Sequence, residues 1–152
     1  MSSEPPDPGA SGRDSAELLA DRLGYLLKHA QQELSLVSAT ALRPYGITGR
    51  QLAVLVVLAD GEPASQQQAA QRLGVDRTTM VALLDTLEAS GFVARRPHAE
   101  DRRRNVVELT PTGQDTLRKA IEASDAAERR FLAPLPPADA RRLKESLRTV
   151  RG

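Results

Sequence analysis

Two short helix-forming segments, each opened by its own capping signal and separated by one glycine, run directly into a change of period from 3.6 to 2, and few folds accept that order. Ser65 and Gln68 have the spacing of a capping box, in which hydroxyl and glutamine side chain each satisfy a backbone amide, and the helix they open runs through Leu73. Gly74 turns the chain. Asp76 then stands as N-cap with Thr79 at N3, and Val75 and Met80 sit at the staple positions. Met80, Leu83, Leu84 and Leu87 form an apolar stripe that ends at Ser90-Gly91. Phe92 to Arg96 and Asn105 to Leu109 next alternate as paired strands do, joined by a polar loop from Pro97 to Arg104.

Helical signals flank this block. Upstream, Asp14 and Glu17 read as a capping box, and Leu19, Leu23, Leu26, Leu27, Ala30, Leu34, Val37 and Ala41 recur at helical spacing. One long helix is therefore predicted to about Arg43, stopped by Pro44 and Gly46, with a stripe long enough to suggest burial against another chain. Thr48 with Gln51 form a further box and Ile47 with Leu52 a staple, so the apolar run Leu52 to Leu58 reads as a buried helix ending at Asp60-Gly61. Downstream, Thr110 caps a helix with Pro111 at N1 and with Leu117, Ile121, Ser124, Ala127 and Phe131 on one side. Pro134 to Pro137 break it, and a last short helix is expected to turn Leu143, Leu147 and Val150 inward. Met1 to about Arg13, rich in Pro, Gly, Ser and Asp, is expected to be a disordered tail.

At 152 residues the chain is about one domain long, and its 40% hydrophobic and 27% charged residues are ordinary for a soluble protein. No stretch approaches the roughly 18 apolar residues of a membrane span, and no apolar signal-peptide core precedes the first helix, so no membrane partner and a cytoplasmic location are expected. The absence of cysteine excludes disulfides, thiolate metal sites, cysteine nucleophiles and thiol redox sensing. His29 and His98 are the only histidines and lie far apart, so neither a metal site nor a cofactor is expected. With no nucleophile-base pair, no phosphate-cradling glycine loop and no paired carboxylates, the chain does not read as an enzyme. The aromatic content of 3% argues against single-stranded nucleic acid, which is bound by stacking.

The net charge of +1 carries no suggestion of a nucleic-acid partner, but its distribution does. Between Arg95 and Arg104 five arginines stand against Glu100 and Asp101, a local +3. On charge alone a solvated hairpin and a nucleic-acid contact are evenly balanced. Placement decides between them. The expected fold is mainly α with a small β-hairpin wing, a winged helix-turn-helix, whose second helix can enter the major groove of double-stranded DNA while the hairpin reaches the backbone or minor groove. Opposite the apolar stripe lie Arg77, Thr78, Val81, Ala82, Asp85 and Thr86, mostly short side chains that let a helix sit deep. Arg77 and Thr78 are read as DNA contacts. Thr79 belongs to the same interface by position, with N-terminal capping the favoured role. Backbone amides at Ser65, Gln66 and Gln67 are further phosphate donors.

Two blocks of this chain resemble the multiple antibiotic resistance regulator (MarR) family: Leu73 to Val93, and Arg95-Arg96-Pro97 with Asp101-Arg102-Arg103 leading to Leu109-Thr110-Pro111-Thr112-Gly113. The resemblance spans roughly residues 20 to 150. It implies a homodimer built by the first and last two helices, binding pseudo-palindromic operators, usually as a repressor released by a small molecule. It divides the chain into a tail (1–13), an N-terminal dimerisation helix (14–46), a DNA-binding domain (47–110) and C-terminal dimerisation helices (111–152). It places the minor-groove arginine at Arg103, oriented by Asp101, with Arg102 and Arg104 on phosphates; a pairing of Asp101 with Arg103 inside the hairpin is the alternative. It also implies a lipophilic phenolic or carboxylate effector, for which Tyr25, His29, Arg43, Tyr45 and Arg50 are the candidates by position, although packing or capping explains each of them more simply. The competing reading is a winged-helix protein-interaction module, whose wing would ordinarily be short or acidic.

Overall fold

The protein is described by a computed structural model covering residues 14–60 and 64–152, so the expected tail, and Gly61 of an expected helix stop, lie outside the described residues. The chain divides into two compact units, one ending at Glu33 and one beginning at Leu34. In the first, the single long helix of the sequence reading is two: α1, Ser15–Ala20, and the start of α2, Leu23–Leu42. The amide of Arg22 donates to Leu19 O at 3.1 Å, tightening the chain to an i→i+3 turn, and Asp14 makes no side-chain cap bond. The Leu19–Leu23 spacing is helical on both sides of that turn, so periodicity alone does not register it.

The second unit continues α2 into a 3-10 turn, Arg43–Tyr45, closed by Gly46 at φ 69°. There follow α3 (Gly49–Leu58), β1 (Ala64–Ser65), α4 (Gln66–Leu73), α5 (Arg77–Ala89), β2 (Val93–Pro97), β3 (Asn105–Leu109), α6 (Pro111–Leu132) and α7 (Pro137–Arg151). Both central capping boxes form as spaced. Gln51 N–H donates to Thr48 Oγ1 while Thr48 N–H donates to Gln51 Oε1, and Gln68 and Ser65 make the same exchange. Gly74 ends α4 in the left-handed conformation at φ 67°, which aims the chain into α5.

Leu42, Val54, Leu55, Met80, Leu84, Leu87 and Val107 are wholly buried, and each large side chain so removed from water stabilises the fold by about 2 kcal/mol. Helix α3 supplies most of its apolar run to this core, but Val56 is 46% exposed, so the run is not buried on every face. The hairpin is part of a three-stranded antiparallel sheet in the order β1-β3-β2. Strand β1, only two residues long, pairs Ala64 with Val107 and Ser65 with Val106 and was not read from the sequence. Helix α7 buries none of its residues: Leu143, Leu147 and Val150, expected inward, face solvent in the single chain. No helix among the described residues is long and apolar enough to cross a membrane.

The start of α6 is pressed onto the base of the hairpin. Thr110 N–H donates to Phe92 O at 3.1 Å, and the Thr110 hydroxyl donates to Gly91 O while accepting from Gly113 N–H at 3.0 Å. A Cβ at Gly113 would lie 1.9 Å from the Phe92 carbonyl oxygen, a contact with backbone that no side-chain movement relieves. Gly113→Ala is therefore expected to lower the unfolding free energy by about 3 kcal/mol. Gly49→Ala, where nothing lies within 4 Å of the added carbon, should be neutral or slightly stabilising. Parallel denaturant titrations of the two variants check the contrast.

Candidate nucleic-acid interface

Two parts of the second unit carry the residues in question: the N-terminal turn of α5 and the tip of the β2–β3 hairpin. Asp76 caps α5, accepting Thr79 N–H on Oδ1 and the Thr79 hydroxyl on Oδ2, both at 2.8 Å. These bonds, the Thr79 amide first, hold the Asp76 carboxyl below the ordinary carboxylate value. The Thr79 hydroxyl is thus committed to the cap, the favoured role in the sequence reading. Arg77 and Thr78, both exposed, precede it in the turn, where the first amides of a helix have no partner within the helix. Ala82 is exposed on the same helix. At α4, Ser65 and Gln68 bind each other's amides, which leaves those of Gln66 and Gln67 as the outward donors. The Gln66 side chain turns inward, its Oε1 buried without a partner among the described residues.

The wing tip is a pinned loop. His98 N–H donates to Arg104 O at 2.8 Å and Arg104 N–H to Asp101 O at 3.0 Å. His98 Nδ1 accepts the amides of Glu100 and Asp101 at 3.1 and 3.3 Å, so a residue weighed in the sequence only as a metal ligand organises the loop. Asp101 Oδ1 accepts the Arg103 amide at 3.0 Å, and its Oδ2 stands 3.7 Å from Arg104 Nε. Asp101 therefore orients the backbone of Arg103 and pairs by side chain with Arg104; the Asp101–Arg103 side-chain pair weighed as an alternative is not formed. Arg102, Arg103 and Arg104 are all exposed.

Two arginines of the basic run are turned to internal work. Arg95 bridges Asp85 and Glu88 of α5, and Arg96 pairs with Glu108 across the hairpin. The positive field of the wing is carried by its tip.

Tyr25 and His29 stack with ring centroids 4.1 Å apart and planes tilted by 42°. In the second unit Arg43 and Arg50 are exposed and Tyr45 packs partly buried on the core. None lines either of two open grooves: one of about 430 Å³ between α3, β3 and α6, the other of about 610 Å³ at the α6–α7 junction. No cluster of His, Asp or Glu among the described residues can hold a metal ion.

Paired short helices, a three-stranded sheet and a basic hairpin define a winged helix-turn-helix transcriptional regulator. Residues 45–104 match the MarR family. The chain is 30% identical over 131 residues to a proposed transcriptional regulatory protein for the hcr operon of Thauera aromatica, an alignment covering 83% of this chain and 79% of that protein. The transcriptional repressor CouR, solved bound to a 23-mer DNA duplex, is 31% identical and superposes with a TM-score of 0.84 over 93% of this chain and all of that one, 100%. CouR of Rhodococcus jostii RHA1, solved bound to p-coumaroyl-CoA, shows 28% identity and a TM-score of 0.75 over 87% of this chain and 93% of its own. The chain belongs to the MarR family.

The Asp76 cap has a defined pH dependence. Its carboxyl titrates lower folded than unfolded, so its contribution is complete above the unfolded value of about 3.9 and is lost as pH falls through the lower folded value. Asp76→Asn should keep a cap while removing this acid-dependent component. Amide exchange at Thr79, followed from pH 6 downward in both proteins, should diverge only at the acid end.

Proposed function

We propose that this protein is a sequence-specific double-stranded DNA-binding regulator, acting in the cytoplasm as a repressor that binds a pseudo-palindromic operator as a homodimer. The observation that carries the reading is the pinned wing: three exposed arginines on a loop shaped by His98 and Asp101, in a hairpin that Arg95 ties to α5. Arg77 and Thr78 enter the major groove with Ala82 below them, and Thr79 stays in the cap. Arg103 enters the minor groove, where narrow walls concentrate negative potential and favour a guanidinium. Arg102, Arg104 and the amides of Gln66 and Gln67 hold phosphates, with the Ser65 amide kept in its capping box, and Asp101 sets the loop. The division into residues 14–46, 47–110 and 111–152 follows this assignment.

Dimerisation is supported by large apolar side chains left on the surface: Leu19, Leu23 and Leu27 in the first unit, and Leu143, Leu147 and Val150 on α7. So much exposed leucine on a soluble chain is best covered by a second copy. A small lipophilic or phenolic effector meeting Tyr25, His29, Arg43 and Tyr45 is proposed by analogy with CouR, which binds a coumaroyl thioester. The chain has no enzymatic activity in this reading.

Binding to an operator duplex should fall steeply with salt, because each neutralised phosphate releases counterions. Arg103→Ala should weaken binding by about 1 kcal/mol or more and flatten the salt dependence. Fluorescence anisotropy at several salt concentrations measures both; unchanged affinity for every duplex tested would remove the wing from the interface.

A further inference from the structure

We propose that Arg95 is a positioning residue for DNA binding, clamping the wing to α5 and masking two carboxylates on the helix face that meets the duplex. Arg95 lies in the basic run but does not point its charge outward. Its Nη1 is 3.0 Å from Glu88 Oε1, its Nη2 is 2.7 Å from Asp85 Oδ1, and its own amide donates to Glu88 Oε2 at 3.2 Å. Three bonds thus join β2 to two successive turns of α5. The Arg95 side chain is only 18% exposed although its partners are 62% and 42% exposed, so the guanidinium is sunk between the two elements.

The geometry of the donor matters. A guanidinium is a planar fork, and two carboxylates held by its two ends fix a direction as well as a distance. As a stabiliser of the fold a partly exposed pair of this kind counts for little. Its leverage lies in where it sits. The hairpin is rooted at the Val93–Leu109 pair, and its five-residue strands carry the tip about 17 Å away at about 3.3 Å per residue. A swing of about 10° at the root moves the tip by about 3 Å, the length of a hydrogen bond. Arg95, two residues from the root, suppresses that swing against the same helix that carries Arg77 and Thr78.

Masking is the second effect. Thr78, Ala82 and Asp85 follow one another at helical spacing, so Asp85 belongs to the face assigned to the groove. Left unpaired there, its carboxylate would oppose the phosphates. The fork neutralises it from behind.

This inference rests on the DNA-binding reading above, and the test separates the two. A duplex is selected from a random-sequence pool by the wild-type protein and titrated by anisotropy over a range of salt. The Asp85→Ala/Glu88→Ala protein removes two negative charges, so simple electrostatics predicts tighter binding. The clamp predicts the opposite: affinity about tenfold weaker or more, a flatter salt dependence, and a loss from Arg103→Ala that shrinks in this background because the tip is no longer aimed. Arg95→Lys keeps the charge without the fork and should behave likewise, with thermal unfolding confirming that both proteins remain folded. Equal or tighter binding by the doubly substituted protein, or the same Arg103→Ala loss in both backgrounds, overturns the clamp alone. No effect of Arg103→Ala in the wild-type background overturns the wing reading, and the clamp with it.

Discussion

The carbonyl of Phe92 occupies the space where a side chain at position 113 would begin, and the geometry of the wing grows from that contact. Because Gly113 has no Cβ, α6 can start against the hairpin base, and the Thr110 hydroxyl can satisfy both the new helix and the carbonyl of Gly91. The strands leave from this junction in the Val93–Leu109 register, with β3 held on its other side by β1. Farther out, His98 and Asp101 replace the missing strand pairs by binding loop amides. The wing is a short lever fixed at its root, braced against α5 by Arg95, and shaped at its tip.

This arrangement explains how a chain with net charge +1 presents a basic surface. Arg95 and Arg96 are paired within the domain with Asp85, Glu88 and Glu108, while Arg102, Arg103 and Arg104 stand in solvent, only Arg104 sharing a distant carboxylate. Acids and arginines nearly cancel in number, yet they are sorted by position. Asp85, Glu88 and Glu108 sit where they brace the hairpin, and the exposed arginines of the tip sit where an anionic partner can reach them.

Much of this was legible in the sequence because the signals are local. The Thr48–Gln51, Ser65–Gln68, Asp76–Thr79 and Thr110 caps depend on spacings of three residues, and each forms as read. The period change at Phe92 gave the hairpin within one residue. What could not be read depends on distant partners or on subtle breaks. The bonds from Arg95 span seven and ten residues across different elements, and its charge alone made it look like part of the open basic run. Strand β1 is too short to show a period. The turn between α1 and α2 interrupts a leucine spacing that stays in phase across it. The inward orientation assigned to Leu143, Leu147 and Val150 fails in one chain because a helix stripe says only that a face is apolar, not which molecule covers it.

The central claim is that α5 and the wing read one duplex together, twice, across a two-fold axis. Hydroxyl-radical footprinting of the wild-type protein on a selected duplex addresses it most directly. The account predicts two symmetric protected half-sites centred about ten base pairs apart, or a multiple of that, each flanked by a protected minor-groove segment. In Arg103→Ala those flanks should open while the central protection persists at saturating protein. A single asymmetric footprint, or flanks that stay protected without Arg103, would contradict it.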